Sequence, residues 1–185
     1  AVNSATSGLH ISCLALGVKK GDIVWTTPNS FVATANCIVH CGAKVDFVDI
    51  NLDTYNICAN LLEKKLKKTK KKKLPKVIIV VHFSGLPCDL NKIKKLSKKY
   101  KFKIIEDSSH ALGANYKNTK IGDCKFSDIS VFSFHPIKSI TSGEGGMVTT
   151  NSKEISNNLS ILRSHGILKN KKVFKKKYRI ETHYD

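Results

Sequence analysis

A single lysine, Lys138, lies between an apolar segment and a glycine-rich turn. The apolar run 129–134 (ISVFSF) has the composition of a buried strand, and the turn GEGG occupies residues 143–146. A lysine amine that has lost its proton can attack a carbonyl group or act as a base. We therefore take Lys138 as a candidate catalytic residue.

Other polar side chains follow predicted strands or begin a predicted helix. Asp107 closes the strand that contains the largely apolar run FKII, and Ser133 lies near the end of the run that precedes the lysine. Thr6 and Ser7 lie at the start of a predicted helix, where backbone N–H groups and the helix dipole favour an anion. Because ligands bind beyond the carboxyl ends of parallel strands, we expect these residues to meet at one edge of a sheet.

A carboxylate, an amine, hydroxyl groups and a helix N-terminus together suit pyridoxal phosphate. The phosphate binds N–H and hydroxyl groups, a carboxylate keeps the ring nitrogen protonated, and a lysine amine binds the aldehyde. Phe31 follows a Pro-Asn-Ser turn and is a candidate for stacking on the ring. These residue types predict a pyridoxal phosphate site with Lys138 and Asp107 as its catalytic residues.

Helices and strands that would position these residues alternate along the chain. We predict helices over residues 3–17, 31–41, 60–69, 91–100 and 152–164. We predict strands over residues 22–27, 44–50, 76–83, 101–107, 128–134 and 146–150. The continuous apolar run KVIIVVHF is typical of a strand that is buried on both faces. The pattern predicts an α/β fold, a three-layer sandwich with a mostly parallel sheet between helices.

The formal net charge of +18 first suggests a nucleic acid or an acidic surface as a partner. However, many lysines fall in one tract, residues 63–76, and the only arginines are Arg163 and Arg179. Arginine forks and interleaved aromatic side chains, which read and stack on bases, are missing. We interpret the tract as a solvated helix end and loop and expect no nucleic-acid partner, with a basic nucleic-acid-binding domain as a remote alternative. A Rossmann nucleotide-binding domain ranks lowest, because no G-x-G-x-x-G follows the first strand.

Six cysteines, at positions 13, 37, 41, 58, 88 and 124, include no C-x-x-C pair. We expect them to be small buried apolar residues without a metal, which fits a reducing cytoplasm. No apolar run approaches the roughly 20 residues that span a bilayer, so we expect no membrane partner. His82 and His135, at strand ends, are interpreted as packed, hydrogen-bonded histidines rather than catalysts.

Seven segments in order resemble blocks of one enzyme family. They are NSATSGLH, TTPNSFVATAN, GAKVDFVDI, VHFSGLPCDL, IIEDSSHALGA, SDISVFSFHPIKSITSGEGGMVTTN and LRSHGI. They resemble the pyridoxal-phosphate-dependent nucleotide-sugar aminotransferases of the DegT/DnrJ/EryC1/StrS family. The resemblance implies the large domain of the type I, aspartate aminotransferase-like fold.

The resemblance also implies a role for each candidate residue. Lys138 bonds to the cofactor, Asp107 pairs with the ring nitrogen, Phe31 stacks on the ring, His110 lies beside it, and Thr6, Ser7 and Ser133 hold the phosphate. Related dehydratases carry a histidine where this chain has Lys138, so the resemblance disfavours sugar deoxygenation.

Within the family, the segments most resemble the transaminases of pseudaminic acid biosynthesis. This implies transfer of an amino group from L-glutamate to C4 of a UDP-linked 4-keto-6-deoxy-N-acetylhexosamine. Another sugar aminotransferase of the family, acting on a dTDP-linked or a C3-keto sugar, remains an alternative.

Family members are about twice as long and form homodimers with shared active sites. We therefore expect residues 1–168 to form a partial large domain that lacks an N-terminal segment. We expect residues 169–185 to be a basic segment leading into a C-terminal small domain that is absent here. An asparagine that the family contributes to the neighbouring subunit's phosphate would follow Asp185.

Overall fold

A six-stranded sheet forms the centre of the computed structural model, which describes residues 1–167. Residues 1–167 contain eight strands, of which β5 and β6 form a separate hairpin. In chain order they are β1 (Ile23–Thr26), β2 (Lys44–Phe47), β3 (Val77–Val81), β4 (Lys103–Asp107), β5 (Asn115–Tyr116), β6 (Thr119–Lys120), β7 (Ile129–Ser133) and β8 (Gly146–Thr149). The main sheet has the order β2-β1-β3-β4-β7-β8, in which only β8 runs antiparallel to its neighbour. The mostly parallel sheet predicted from the sequence is therefore confirmed.

Helices cover both faces of this sheet. They are α1 (Ala5–Ala15), α2 (Ala33–His40), α3 (Ala59–Lys68), α4 (Leu90–Tyr100) and α5 (Lys153–Arg163). Two separate apolar cores lie on the two faces, one with α1, α2 and α5 and the other with α3 and α4. This arrangement is the predicted three-layer sandwich. No helix within residues 1–167 combines the length and the apolar composition needed to cross a membrane.

Strand β3 shows why the sheet needs a continuous apolar run. Val77 and Ile79 join the core under α1 and α2, whereas Ile78 and Val80 join the core under α3 and α4. Successive side chains of a strand point to opposite faces, so a strand covered on both faces has no position for a solvated side chain. The middle of the sheet thereby becomes a rigid base for the residues at its carboxyl edge.

The predicted helices and strands are all present, with ends that differ by a few residues. The hairpin formed by β5 and β6 was not predicted. Each of its strands is only two residues long, which is too short to show the alternation of apolar and polar residues that identifies a strand.

The lysine-rich tract includes the last turn of α3 and a 3-10 helix, Lys71–Lys73. Both lie before β3, at the edge of the sheet where the parallel strands begin. Most of these lysine side chains are exposed, and those in the last turn of α3 interact favourably with the helix dipole. The interpretation as a solvated helix end and loop is confirmed.

Gly146, the first residue of β8, brings the start of α1 to the carboxyl edge of the parallel strands, opposite the lysine-rich tract. Its backbone exchanges two hydrogen bonds of 2.9 Å with Val2. A Cβ atom at this position would lie 2.7 Å from the carbonyl oxygen of Phe132 and 3.0 Å from the backbone nitrogen of Ala5. Only glycine permits this approach, which places the N-terminus of α1 beside the carboxyl end of β7.

A buried pair, His82 and Glu106, stabilises the carboxyl edge of the sheet. The side chains are 0% and 2% exposed, and His82 Nε2 lies 2.8 Å from Glu106 Oε2. Because the Cys88 N–H donates to His82 Nδ1 at 3.1 Å, the imidazole proton is on Nε2 and is donated to Glu106. The backbone N–H of His82 also donates to the carbonyl of Asp107 at 3.1 Å. The interpretation of His82 as a packed, hydrogen-bonded residue is confirmed.

Replacing Glu106 with alanine is expected to lower the free energy of unfolding by about 3 kcal/mol, because it leaves His82 Nε2–H buried without an acceptor. Chemical denaturation of the purified protein measures this change. Glu154→Ala, at an exposed position of α5, is the matched control and should change the value by about 0.5 kcal/mol or less. Equal small losses for both variants would contradict a structural role for the pair.

Candidate active site

A cavity of about 640 Å³ opens at the carboxyl edge of the parallel strands. Its wall combines the ends of β3, β4 and β7, the start of α1, and the loops before α2 and β8. Six of the seven candidate residues line it: Thr6, Phe31, Asp107, His110, Ser133 and Lys138. The prediction that side chains from separate parts of the chain meet at one edge is therefore confirmed for these six.

The amine of Lys138 contacts the imidazole of His110. Lys138 Nζ lies 2.8 Å from His110 Nε2. Burial, and then the positive charge of Lys138, lower the pKa of His110 below its usual value, while Asp107 acts in the opposite direction. This favours the uncharged imidazole, whose Nε2 can accept a hydrogen bond from Lys138 Nζ. The imidazole thus holds the amine inside the cavity.

The loop behind His110 is fixed by a close backbone contact. Gly85, with φ of +85°, lies so close to His110 that a Cβ atom would be 2.7 Å from the His110 carbonyl oxygen. This loop begins at His82, whose pairing with Glu106 holds its start. The hydrogen bond between His82 and Glu106 and the close contact between Gly85 and His110 therefore both stabilise the segment that carries the imidazole.

Asp107, the last residue of β4, is 5% exposed, and its carboxylate accepts three hydrogen bonds. The Thr34 hydroxyl donates to Oδ2 at 2.7 Å. Ser109 donates to Oδ1 through its hydroxyl at 2.6 Å and its backbone N–H at 3.2 Å. Both oxygens are thereby fixed in position.

Thr34 and Ser109 were not among the residues predicted from the sequence to belong to the site. Ser109 had a local signal, since a polar side chain two residues after an aspartate is well placed to donate to it. Thr34 had none, because it lies 73 residues away along the chain. Only the packing of α2 against the sheet brings it to Asp107.

The start of α1 offers part of the predicted anion site. Ser4 caps the helix, and its hydroxyl oxygen accepts from the Ser7 N–H at 3.2 Å. Thr6 is exposed and lines the cavity. Ser7 does not line the cavity, because its hydroxyl donates to the Ser4 carbonyl at 2.9 Å and contacts Asn3. Its assignment as a phosphate ligand remains a prediction.

Apolar side chains flank the mouth of the cavity. Phe31 is 74% exposed and Ile137 is 80% exposed, and both belong to the lining. Exposed side chains of this size at the mouth of a cavity are suited to cover a flat aromatic ligand. His135 also lines the cavity and its side chain is 46% exposed, so the prediction that it is packed is wrong.

The donor set fits pyridoxal phosphate. A buried carboxylate, an amine, the hydroxyl groups of Thr6 and Ser133, a helix N-terminus and an exposed aromatic ring surround one volume. The carboxylate suits the ring nitrogen, the amine suits the aldehyde, and the helix N-terminus with the hydroxyl groups suits the phosphate. The residues therefore match the cofactor group by group.

Comparison with known proteins supports the same interpretation. The model of the DegT/DnrJ/EryC1/StrS aminotransferase family matches residues 1–182. A UDP-4-amino-4,6-dideoxy-N-acetyl-beta-L-altrosamine transaminase of Campylobacter jejuni is 47% identical over 170 residues, which cover 91% of this chain and 43% of that protein.

Solved structures show the same similarity. Helicobacter pylori PseC, an aminotransferase involved in the biosynthesis of pseudoaminic acid, has a TM-score of 0.81 and 40% identity over 91% of this chain and 44% of its own. NtdA of Bacillus subtilis with bound cofactor PMP has a TM-score of 0.80 and 31% identity over 91% of this chain and 37% of its own. The chain spans less than half the length of each of these relatives.

Proposed function

The chain belongs to the DegT/DnrJ/EryC1/StrS aminotransferase family, and from that premise we propose that it carries the pyridoxal phosphate site of a nucleotide-sugar aminotransferase. The match confirms the family resemblance of the sequence segments. The observation that carries the proposal is the contact of 2.8 Å between Lys138 and His110, in the cavity that also contains Asp107.

Six of the described residues and the N-terminus of α1 would hold the cofactor. Lys138 would bind its aldehyde, Asp107 its ring nitrogen and Phe31 its ring face. Thr6 and Ser133, with the N-terminus of α1, would bind its phosphate, and His110 would lie beside the ring. When bound, pyridoxal phosphate supplies an aldehyde that binds amines and a protonated ring that withdraws electrons from the substrate carbon.

The residues of this chain would move and hold the protons. Lys138, when its amine is not bonded, would carry the proton at the substrate carbon as a general base and acid. His110, which accepts a hydrogen bond from Lys138, would orient that amine. Asp107 would keep a proton on the ring nitrogen, because a buried carboxylate stabilises a positive charge next to it.

For the substrates, we propose L-glutamate as the donor and C4 of a UDP-linked 4-keto-6-deoxy-N-acetylhexosamine as the acceptor. The similarity to the Campylobacter jejuni transaminase and to PseC supports this choice. The two substrates would use the same cavity in turn. An acceptor with a dTDP group or a C3-keto group is the alternative within the family.

We also propose a homodimer with shared active sites in the cytoplasm. Apolar side chains beside the cavity lining, Val32 at 58% exposure and Ile140 at 55%, support contact with a second copy. All six cysteines are free thiols, which supports a reducing compartment. We place residues 1–168 in the large domain; the segment 169–185 lies outside the described residues.

The proposal predicts a covalent cofactor adduct on Lys138. The full-length protein is mixed with pyridoxal phosphate and reduced with borohydride, and its peptides are mapped by mass spectrometry. We expect the pyridoxyl group on Lys138 at close to one per chain, because its amine lies inside the cavity that fits the cofactor.

Lys95→Ala is the matched control, since Lys95 is exposed on α4. That variant should retain the adduct on Lys138, and Lys138→Ala should lose it. An adduct spread over surface lysines, with none on Lys138 in the folded protein, would overturn the proposed function.

A further inference from the structure

The first turn of α2 carries a buried hydroxyl, Thr34, that contacts the candidate catalytic carboxylate. Thr34 is 0% exposed, and its Oγ1 lies 2.7 Å from Asp107 Oδ2 and 2.6 Å from Ser30 Oγ. Ser109, which donates to the other oxygen of Asp107, lies only two residues after it in the segment that follows β4. Thr34 is thus a contact to this carboxylate from a different element.

The direction of these hydrogen bonds follows from the number of protons. An ionised carboxylate only accepts hydrogen bonds, and a threonine hydroxyl has one proton to donate. Thr34 therefore donates to Asp107, and its oxygen accepts the proton of Ser30. The result is a chain of donors, Ser30 to Thr34 to Asp107, that ends on Oδ2.

The carboxylate retains one place for a further donor. Two carboxylate oxygens offer about four acceptor sites. Ser109 uses two on Oδ1 and Thr34 uses one on Oδ2. Within residues 1–167 this leaves one acceptor site, on Oδ2, and Asp107 lines the cavity.

We propose that Thr34 is a positioning residue that orients Asp107 and keeps the shared proton on the ring nitrogen of the cofactor. This inference rests on the proposed function. In a hydrogen bond between a carboxylate and a pyridine nitrogen, the proton stays on the group with the higher proton affinity. Each donor to the carboxylate stabilises its negative charge and so favours the proton on nitrogen.

Thr34→Val removes the hydroxyl and preserves the shape of the side chain. The full-length protein is loaded with pyridoxal phosphate labelled with ¹⁵N in the ring, and the ¹⁵N chemical shift is measured at neutral pH. For Thr34→Val we expect a shift towards the unprotonated form and a cofactor Kd raised about 10-fold, as loss of a hydrogen bond to a charged group predicts. Thr34→Ser, which restores the hydroxyl, should recover both values.

Thr27→Val is the matched control. Thr27 is as buried as Thr34, but its hydroxyl has no hydrogen-bond partner within residues 1–167 and it does not line the cavity. The same substitution there should leave the ¹⁵N shift and the Kd unchanged. If Thr34→Val does not fold, Thr34→Ala gives the same readout, because alanine is well tolerated in a helix.

The outcomes separate this inference from the proposed function. A wild-type protein that binds no labelled cofactor would overturn both. A wild type with a protonated ring nitrogen, together with hydroxyl-free variants that keep the same shift and Kd, would overturn the role of Thr34 alone.

Discussion

Lys138→Ala is expected to lower kcat for transamination by about 10⁴-fold or more. The substitution removes the amine that, in the proposed function, bonds to the cofactor and moves the proton at the substrate carbon. His110 cannot replace it, because an imidazole has no primary amine that could bond to the aldehyde of the cofactor. Within the part of the chain that the structure describes, no second lysine lines the cavity.

The assay follows release of 2-oxoglutarate from L-glutamate by the full-length protein, with the UDP-linked 4-keto sugar as acceptor. The dTDP-linked and C3-keto sugars serve as alternative acceptors and identify the substrate from kcat/KM. Lys95→Ala should retain the wild-type rate. Turnover of Lys138→Ala close to that of the wild type would remove the catalytic assignment of this lysine.

Much of the framework of this site follows from local sequence patterns. Apolar runs such as VIIVV define strands, and their alternation with helices predicts parallel strands whose ends share an edge. Once the edge is predicted, Asp107 and Ser133 belong to it because each ends a strand. Strand order and side-chain contacts across the edge do not follow, because they depend on tertiary packing.

The residues at the start of α1 illustrate that limit. The run NSATS contains several hydroxyl groups, and any of them could cap the helix or face a ligand. In the structure Ser4 caps the helix, Thr6 lines the cavity and Ser7 bonds back to the cap. The choice depends on which side of α1 packs on the sheet, and local sequence does not determine it.

The hydrogen-bond partners of the buried polar residues at this edge were not predicted, for the same reason. His82 directly follows β3, and Glu106 lies on the neighbouring strand β4. Their pairing, like the contact between Thr34 and Asp107, joins positions more than 20 residues apart. Hydrogen bonds from Thr34 and from the pair of His82 and Glu106 thus support the candidate site, and substitutions can test them separately from the candidate catalytic residues.

Asp107→Asn is expected to lower kcat by about 10³-fold or more and to change the cofactor Kd far less. Asparagine has the same size and can still accept hydrogen bonds from Ser109 through its carbonyl oxygen. It is neutral, however, and cannot stabilise the positive charge of a protonated ring nitrogen. The ring would then withdraw electrons weakly, so the loss falls on the chemical step.

The measurement compares kcat with the cofactor Kd and with the ¹⁵N chemical shift of the labelled ring. Asp53→Asn, at an exposed turn position, is the matched control and should leave all three unchanged. A low kcat with a ring nitrogen that has lost its proton would support Asp107 as the ring partner. Near-normal turnover would show that another group holds that proton. It would also contradict the role proposed for Thr34, because Thr34 donates to Oδ2, the same oxygen of Asp107 that has an acceptor site left for the ring nitrogen.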